Sequence, residues 1–130
     1  MEYLIITKDL NGSILAWNEG ARRTYGYSAE EMVGKSNARV LHTPEDIDSG
    51  RAQQALATAL RTGKFEGEFQ RVRKNGQRFT ALVAITLRRD ANGKSIGFVL
   101  ISKDITAQKA LEEQLRRKNE ELEQQNTRVQ

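Results

Sequence analysis

Residues 64 to 106 constrain the fold more than any other stretch, because they read as three consecutive antiparallel strands. Val72 leads into Arg73-Lys74-Asn75-Gly76-Gln77, a polar run centred on Asn-Gly, the strongest short-range hairpin signal a sequence offers. Beyond it Phe79, Ala81, Val83, Ile85 and Leu87 alternate with Thr80, Leu82, Ala84 and Thr86. One face is continuously apolar and the other mixed, as in a strand with one face on a core. A second turn, Asp90-Ala91-Asn92-Gly93-Lys94, precedes a strand from Ile96 to Ile101. Both of its alternating sets are apolar, Phe98 and Leu100 on one side and Val99 and Ile101 on the other. Such a strand is expected to be covered on both faces, so something outside the core should pack on this sheet.

The chain before it supplies the remaining layers. Tyr3 to Thr7 and Ser13 to Trp17 read as a strand pair turned by Asp9-Leu10-Asn11-Gly12. Asn18 is placed to cap a short helix ending near Gly26. Ser28-Ala29-Glu30-Glu31 has the form of a capping box opening a second short helix that stops at Gly34. Thr43-Pro44-Glu45-Asp46 starts what reads as one longer helix running to Gly63, with Pro44 at its first position. Ala52, Ala55, Leu56, Ala59 and Leu60 form its narrow apolar stripe. Strands at both ends of this order, with helices between, predict an α+β fold: one antiparallel sheet with helices on a single face.

Composition closes off several classes of function. At 130 residues and 38% hydrophobic content the chain suits one domain with an adequate core. Having no cysteine, it has no disulfide, thiolate catalysis or cysteine metal site. No apolar run approaches the roughly 20 residues that cross a bilayer. No basic segment leads into an apolar one at the start, which argues against a signal peptide. The net charge is +4, and residues 105 to 130 carry five basic and five acidic side chains, so the excess sits in residues 1 to 104.

These pieces together resemble a PAS domain across residues 2 to 106. The matching segments are Asp9 to Gly12, Ala16-Trp17-Asn18, Tyr25 to Gly34, Thr43-Pro44-Glu45-Asp46, Arg73-Lys74-Asn75-Gly76 and Asp104-Ile105-Thr106. Each is short, and their order and spacing carry the specificity. The resemblance implies a five-stranded antiparallel sheet in the order 2-1-5-4-3 with helices enclosing a ligand pocket on one face. Its candidate lining is Arg71, Ala81, Val83, Ile85, Phe98, Leu100 and Ser102. The family senses small molecules, light or redox state, or serves as a dimerising module, and commonly precedes histidine kinase or diguanylate cyclase domains.

Individual chemistries divide sharply. LOV-type members resemble one another in a motif Asn-Cys-Arg-Phe-Leu-Gln whose cysteine bonds flavin. Here the segment is Asn37-Ala38-Arg39-Val40-Leu41-His42, so the thiol is replaced by alanine. The polar flavin contacts of that class correspond to Arg71, Ala81 and Ser102, so the expectation is no flavin. Haem is disfavoured as well, since the only histidine, His42, sits beside a helix cap, where a surface or hydrogen-bonding role is commoner. One histidine without cysteine offers no structural zinc site. Trp17 reads as a structural aromatic. Arg71, Arg73, Lys74, Arg78, Arg88 and Arg89 cluster near the hairpin turns; with few aromatics between them they read as solvated strand ends, not as a nucleic-acid surface. Arg71 is the exception, because alternation with Phe69 turns it inward, towards a carboxylate ligand or an acid such as Glu66 or Glu68. No base, nucleophile and metal come together as an enzyme would need.

The last segment reads as a signalling helix over residues 107 to 130, following a sensor domain over 1 to 106. Leu111, Leu115, Leu122 and Val129 fall on a heptad seam interrupted by Lys118 and Gln125, and Glu112–Arg116 and Glu113–Arg117 are favourable i,i+4 pairs. The expected partners are a second copy of the chain, through this seam and the outer face at Val99 and Ile101, an unknown small molecule, and a covalently linked output domain. A cytoplasmic receptor module relaying its state through Asp104, Ile105 and Thr106 is the reading that results. A ligand-free dimerising spacer is its main rival, and a flavin or haem redox sensor is a third reading.

Overall fold

The computed structural model describes residues 2–35 and 38–129, the side chains of 126–129 excepted. Five strands, β1 (Leu4–Asp9), β2 (Ile14–Trp17), β3 (Lys64–Val72), β4 (Arg78–Arg89) and β5 (Ser95–Asp104), form one antiparallel sheet in the order β2-β1-β5-β4-β3. The first and last strands are therefore neighbours at the centre, and the order is the one the resemblance implied. Between β2 and β3 come α1 (Glu19–Tyr25), α2 (Ala29–Met32), a 3-10 turn (Ala38–Leu41), α3 (Pro44–Asp48) and α4 (Arg51–Thr62); α5 (Thr106–Val129) ends the chain.

Local chemistry explains these elements. Asn18 accepts from the Ala21 amide at 2.9 Å, and Gly26 closes α1 in the left-handed conformation. Ser28 and Glu31 bond reciprocally at the start of α2, the capping box read from the sequence. The long helix expected from Thr43 to Gly63 is instead two. Thr43 caps α3 as foreseen, but Gly50 takes φ 76° and turns the chain before α4 begins. Glycine enters that region without the Cβ clash other residues meet, so a break costs least there. The separate α4 then lays Ala55 and Ala59 on the sheet while Leu60, counted in the expected stripe, stays in solvent.

The core lies between the sheet and these helices. Phe79, Ala81, Val83, Ile85 and Leu87 all point into it from β4, joined by Leu4 and Ile6 of β1 and Phe98 and Leu100 of β5. Trp17 is structural: its indole donates to the Tyr27 carbonyl at 2.9 Å and its ring lies 5.5 Å from that of Tyr25. At Gly97 the sheet is drawn especially tight, since a Cβ there would stand 2.0 Å from the Lys8 carbonyl oxygen.

Pairing along α5 differs in one detail from expectation. Arg117 bonds Glu113 at 3.1 Å, but Arg116 pairs with Glu113 and Glu120, while Glu112 accepts from Gln108. A guanidinium between three carboxylates takes the best-oriented two, and each such exposed pair is worth only about 0–1 kcal/mol.

Candidate functional site

Strand alternation carries an unexpected residue into the interior. Leu4, Ile6 and Lys8 share the inward face of β1, and Lys8 is only 5% exposed. From β3, Arg71 follows Phe69 on the same side of the sheet and is equally buried. The strands carrying these cations are separated by β5 and β4. Their long side chains nevertheless line one inner cavity of about 10 Å³, together with His42, Ala52, Ala55, Leu56, Phe69, Ile85 and Leu100. That is room for about one water molecule. Lys8, His42, Ala52 and Leu56 also line an adjoining outer pocket of about 290 Å³, completed by Asn11, Gly12, Ala38, Arg39, Ile47 and Gln53.

The electrostatics of this cluster are one-sided. His42 pairs its backbone with Arg71 in an isolated bridge, and its Nδ1 faces the Arg71 guanidinium. Arg71 Nε is buried without a hydrogen-bond partner. Among the described residues no ion pair engages Lys8 or Arg71. Glu66 and Glu68, considered as partners for Arg71, lie on the exposed face of β3, and Glu68 instead meets Lys109 at 3.2 Å. Burial, and then the Arg71 charge, push the Lys8 ammonium down to about 8. Burial, Arg71 and Lys8 together push His42 down to about 3, so its ring is neutral at ordinary pH. Arg71 is itself lowered by burial, against the opposing influence of Tyr25 and Asp46.

The pocket residues expected from the sequence are thus all buried on the helix side, but they do not act together. Arg71, Ile85 and Leu100 line the inner cavity. Ala81, Val83, Phe98 and Ser102 are buried on the same face and are not among its lining residues. Sequence reasoning missed Lys8, although the alternation Leu4, Ile6, Lys8 was there to be read, and it set His42 aside as a cap neighbour. Ala38 opens the 3-10 turn and borders the outer pocket; Asn37 lies outside the described residues.

A second constellation joins the sheet to α5. Arg73 stands 2.9 Å from Asp104 and also donates to the Thr24 carbonyl at 2.7 Å. Asp104 accepts from the Thr106 amide at 2.9 Å, while Thr106 Oγ1 accepts from the Thr80 amide at 2.9 Å. Ile105 between them is buried and donates its amide to the Thr80 carbonyl at 2.8 Å. Burial opposes the Asp104 charge, but the bonds from Thr106 and Arg73 prevail and hold its carboxyl below the usual range. Beyond this junction Leu111, Leu115 and Leu122 are about half exposed, as is Ile101 on the outer sheet face, where Val99 is partly buried. Val129, the last seam position expected, has its side chain outside the described residues. No helix among the described residues is long and apolar enough to cross a membrane, and no group of three or more potential metal ligands occurs there.

Comparison with known proteins agrees with this geometry. A family model described as PAS domain matches residues 2–107. Two-component system protein A of Emericella nidulans is 40% identical over 111 residues, which cover 85% of this chain and 16% of that protein. Phototropin-2 of Oryza sativa subsp. japonica is 37% identical over 87 residues, or 66% of this chain and 9% of that protein. The chain therefore spans less than a fifth of the curated relatives it matches. The crystal structure of a PAS domain from Colwellia psychrerythraea superposes with a TM-score of 0.73 at 29% identity, over 81% of this chain and 87% of that one.

Proposed function

The chain belongs to the PAS domain family, and on that premise we propose that it is a cytoplasmic sensory module of a larger two-component-type receptor, acting by binding and relay and not as an enzyme. A small molecule enters beside α4, the packing of helices on the sheet adjusts, and the change leaves through Asp104, Ile105 and Thr106 into α5. The output domain attached beyond that helix, of histidine kinase or diguanylate cyclase type, receives it as a rotation or register shift of a paired helix. The observation that carries this reading is the junction. Arg73 on the β3–β4 connection, Thr80 on β4 and the first residues of α5 are bonded to one another, which supports a path from this hairpin into the helix.

Flavin and haem are left out of the proposal on the chemistry of the residues. A tricyclic flavin needs a roomy interior, whereas the space between Arg71, Ile85 and Leu100 is about 10 Å³. Alanine stands at position 38, where the LOV thiol would be, and a buried guanidinium stands at 71. His42 already meets Arg71 through its ring. These residues do not fit either group.

The test uses Ala52, which borders both cavities. Ala52→Phe should fill the pocket and change amide hydrogen exchange at Ile105 and Lys109, with exchange at the centre of β4 preserved. Unaltered exchange at the junction in a filled, folded protein would sink the relay.

A further inference from the structure

Three basic side chains converge on a space with no acid in it. A buried ammonium or guanidinium is normally paired or displaced to the surface, because removing it from water is costly. Lys8 and Arg71 are buried without an ion pair; the Arg71 guanidinium meets His42, the Tyr25 hydroxyl and the Phe69 ring, all uncharged, and its Nε makes no hydrogen bond. The charged groups nearest the cluster do not cure this. Asp46 belongs to a 3.7 Å pair with Arg51, and the Tyr25 phenol is held above its ordinary value by burial, so it is neutral. Positive charge without a protein counter-ion, facing a cavity, is a site for an anion.

The lining narrows the class of anion. In the outer pocket Ala38, Ile47, Ala52 and Leu56 lie beside Lys8, Arg39 and His42, so an apolar wall faces a basic one. A guanidinium can only donate, so with Arg71 on His42 Nδ1 the proton of the neutral ring is assigned to Nε2, which lies 3.4 Å from the same guanidinium. The small inner cavity behind has room for about one water, able to carry the Arg71 Nε–H bond forward. Resting on the reading of this pocket as the sensor's ligand site, we propose that Lys8 and His42 receive the carboxylate of a short aliphatic acid directly and Arg71 through that water, the chain lying against Ile47, Ala52 and Leu56. The carboxylate supplies the two cations with the counter-charge that no neighbouring side chain provides.

Titration calorimetry of the purified chain with pentanoate tests this, using pentanamide as the neutral isostere and inorganic phosphate as an anion without an aliphatic body. Pentanoate should bind at pH 7, with pentanamide and phosphate each weaker by about tenfold or more. Lys8→Met and Arg71→Met should each weaken it by at least about tenfold. A carboxylate beside Lys8 favours its charged form. At pH 8 the wild type should therefore take up as much as about half a proton on binding, measured in Hepes and Tris buffers. That uptake should vanish in Lys8→Met, and it decides the matter from the wild type alone if a variant fails to fold.

Absent pentanoate binding, equal binding of pentanamide, preference for phosphate, no proton uptake or unaffected folded variants would each overturn the proposal. Equal binding of the amide overturns the charge recognition while leaving the sensor pocket in place. Failure of all three compounds together with an unchanged junction in Ala52→Phe brings down the sensor reading as well.

Discussion

The Arg73 guanidinium stands 2.9 Å from the Asp104 carboxylate, and the pair fastens the β3–β4 turn to the start of the terminal helix. Asp104 holds the Thr106 amide at the same time, so one carboxylate serves both an ion pair and the first turn of α5. Asp104→Ala removes both. It should cost about 1–3 kcal/mol in urea unfolding, given the usual strength of charge-assisted bonds and caps. Exchange at the Lys109 amide, which donates to the Ile105 carbonyl, should quicken. An unchanged midpoint and exchange rate would show that α5 starts without this pair.

Burial of Lys8 should be visible as a cost. Its folded value is about 8 against an ordinary 10.5, so the unfolded chain binds more protons between those limits and stability rises with pH across that window. Below pH 8 the full penalty applies. Lys8→Met should therefore be more stable than wild type at pH 7, by up to about 3 kcal/mol, and the advantage should shrink from pH 8 to 10.5. Parallel urea titrations at pH 7 and 10 decide it, and an equal difference at both would contradict burial of the charge.

His42 makes the opposite end of the pH scale informative. With a folded value near 3 against an ordinary 6.5, the ring takes its proton more readily when the chain is unfolded, and stability falls as pH drops through that interval. Glu31, held at about 2 by Lys74 and Ser28, adds its own loss only below 4.5. Between pH 6.5 and 5 the slope should belong chiefly to His42, and His42→Gln should flatten it in thermal melts. A variant with the wild-type slope would show that the ring is not held neutral.

The half-exposed leucines of α5 bear on assembly. Leu115 and Leu122 lie seven residues apart on one stripe, each about half exposed in the single chain. If they meet their counterparts in a second copy, replacing both with Glu sets like charges face to face and deletes two apolar layers. A well-buried leucine is worth about 2–5 kcal/mol, so association should fall steeply while the domain built from β1 to β5 stays folded. Sedimentation velocity at several concentrations reads the outcome. A double variant that dimerises as well as wild type would move the interface to the outer face at Val99 and Ile101.

Much of the fold was legible in residues 1 to 106 before any coordinates. The alternation of Phe79 to Leu87, the Asn-Gly turn and the caps at Asn18, Ser28 and Thr43 are local signals, each satisfied within a few residues of where it is written. The split of the long helix at Gly50 was less legible, because a glycine inside a periodic stripe is compatible with either a continuous helix or a turn. The 3-10 turn at Ala38–Leu41 carried no periodic pattern at all.

The site divides along the same line. Sequence by itself determined that Arg71 points inward, since strand parity decides it, and the resemblance to LOV-type members set Ala38 at the place of their thiol. What only the tertiary structure decided is that Lys8, His42 and Arg71 share a cavity. They come from β1, the segment before α3 and β3, and their meeting depends on the strand order and on how closely β1 lies on β5 beside Gly97. A charge is costly or useful according to what surrounds it in space, and neighbours across a sheet leave no periodic mark in the chain that encodes them.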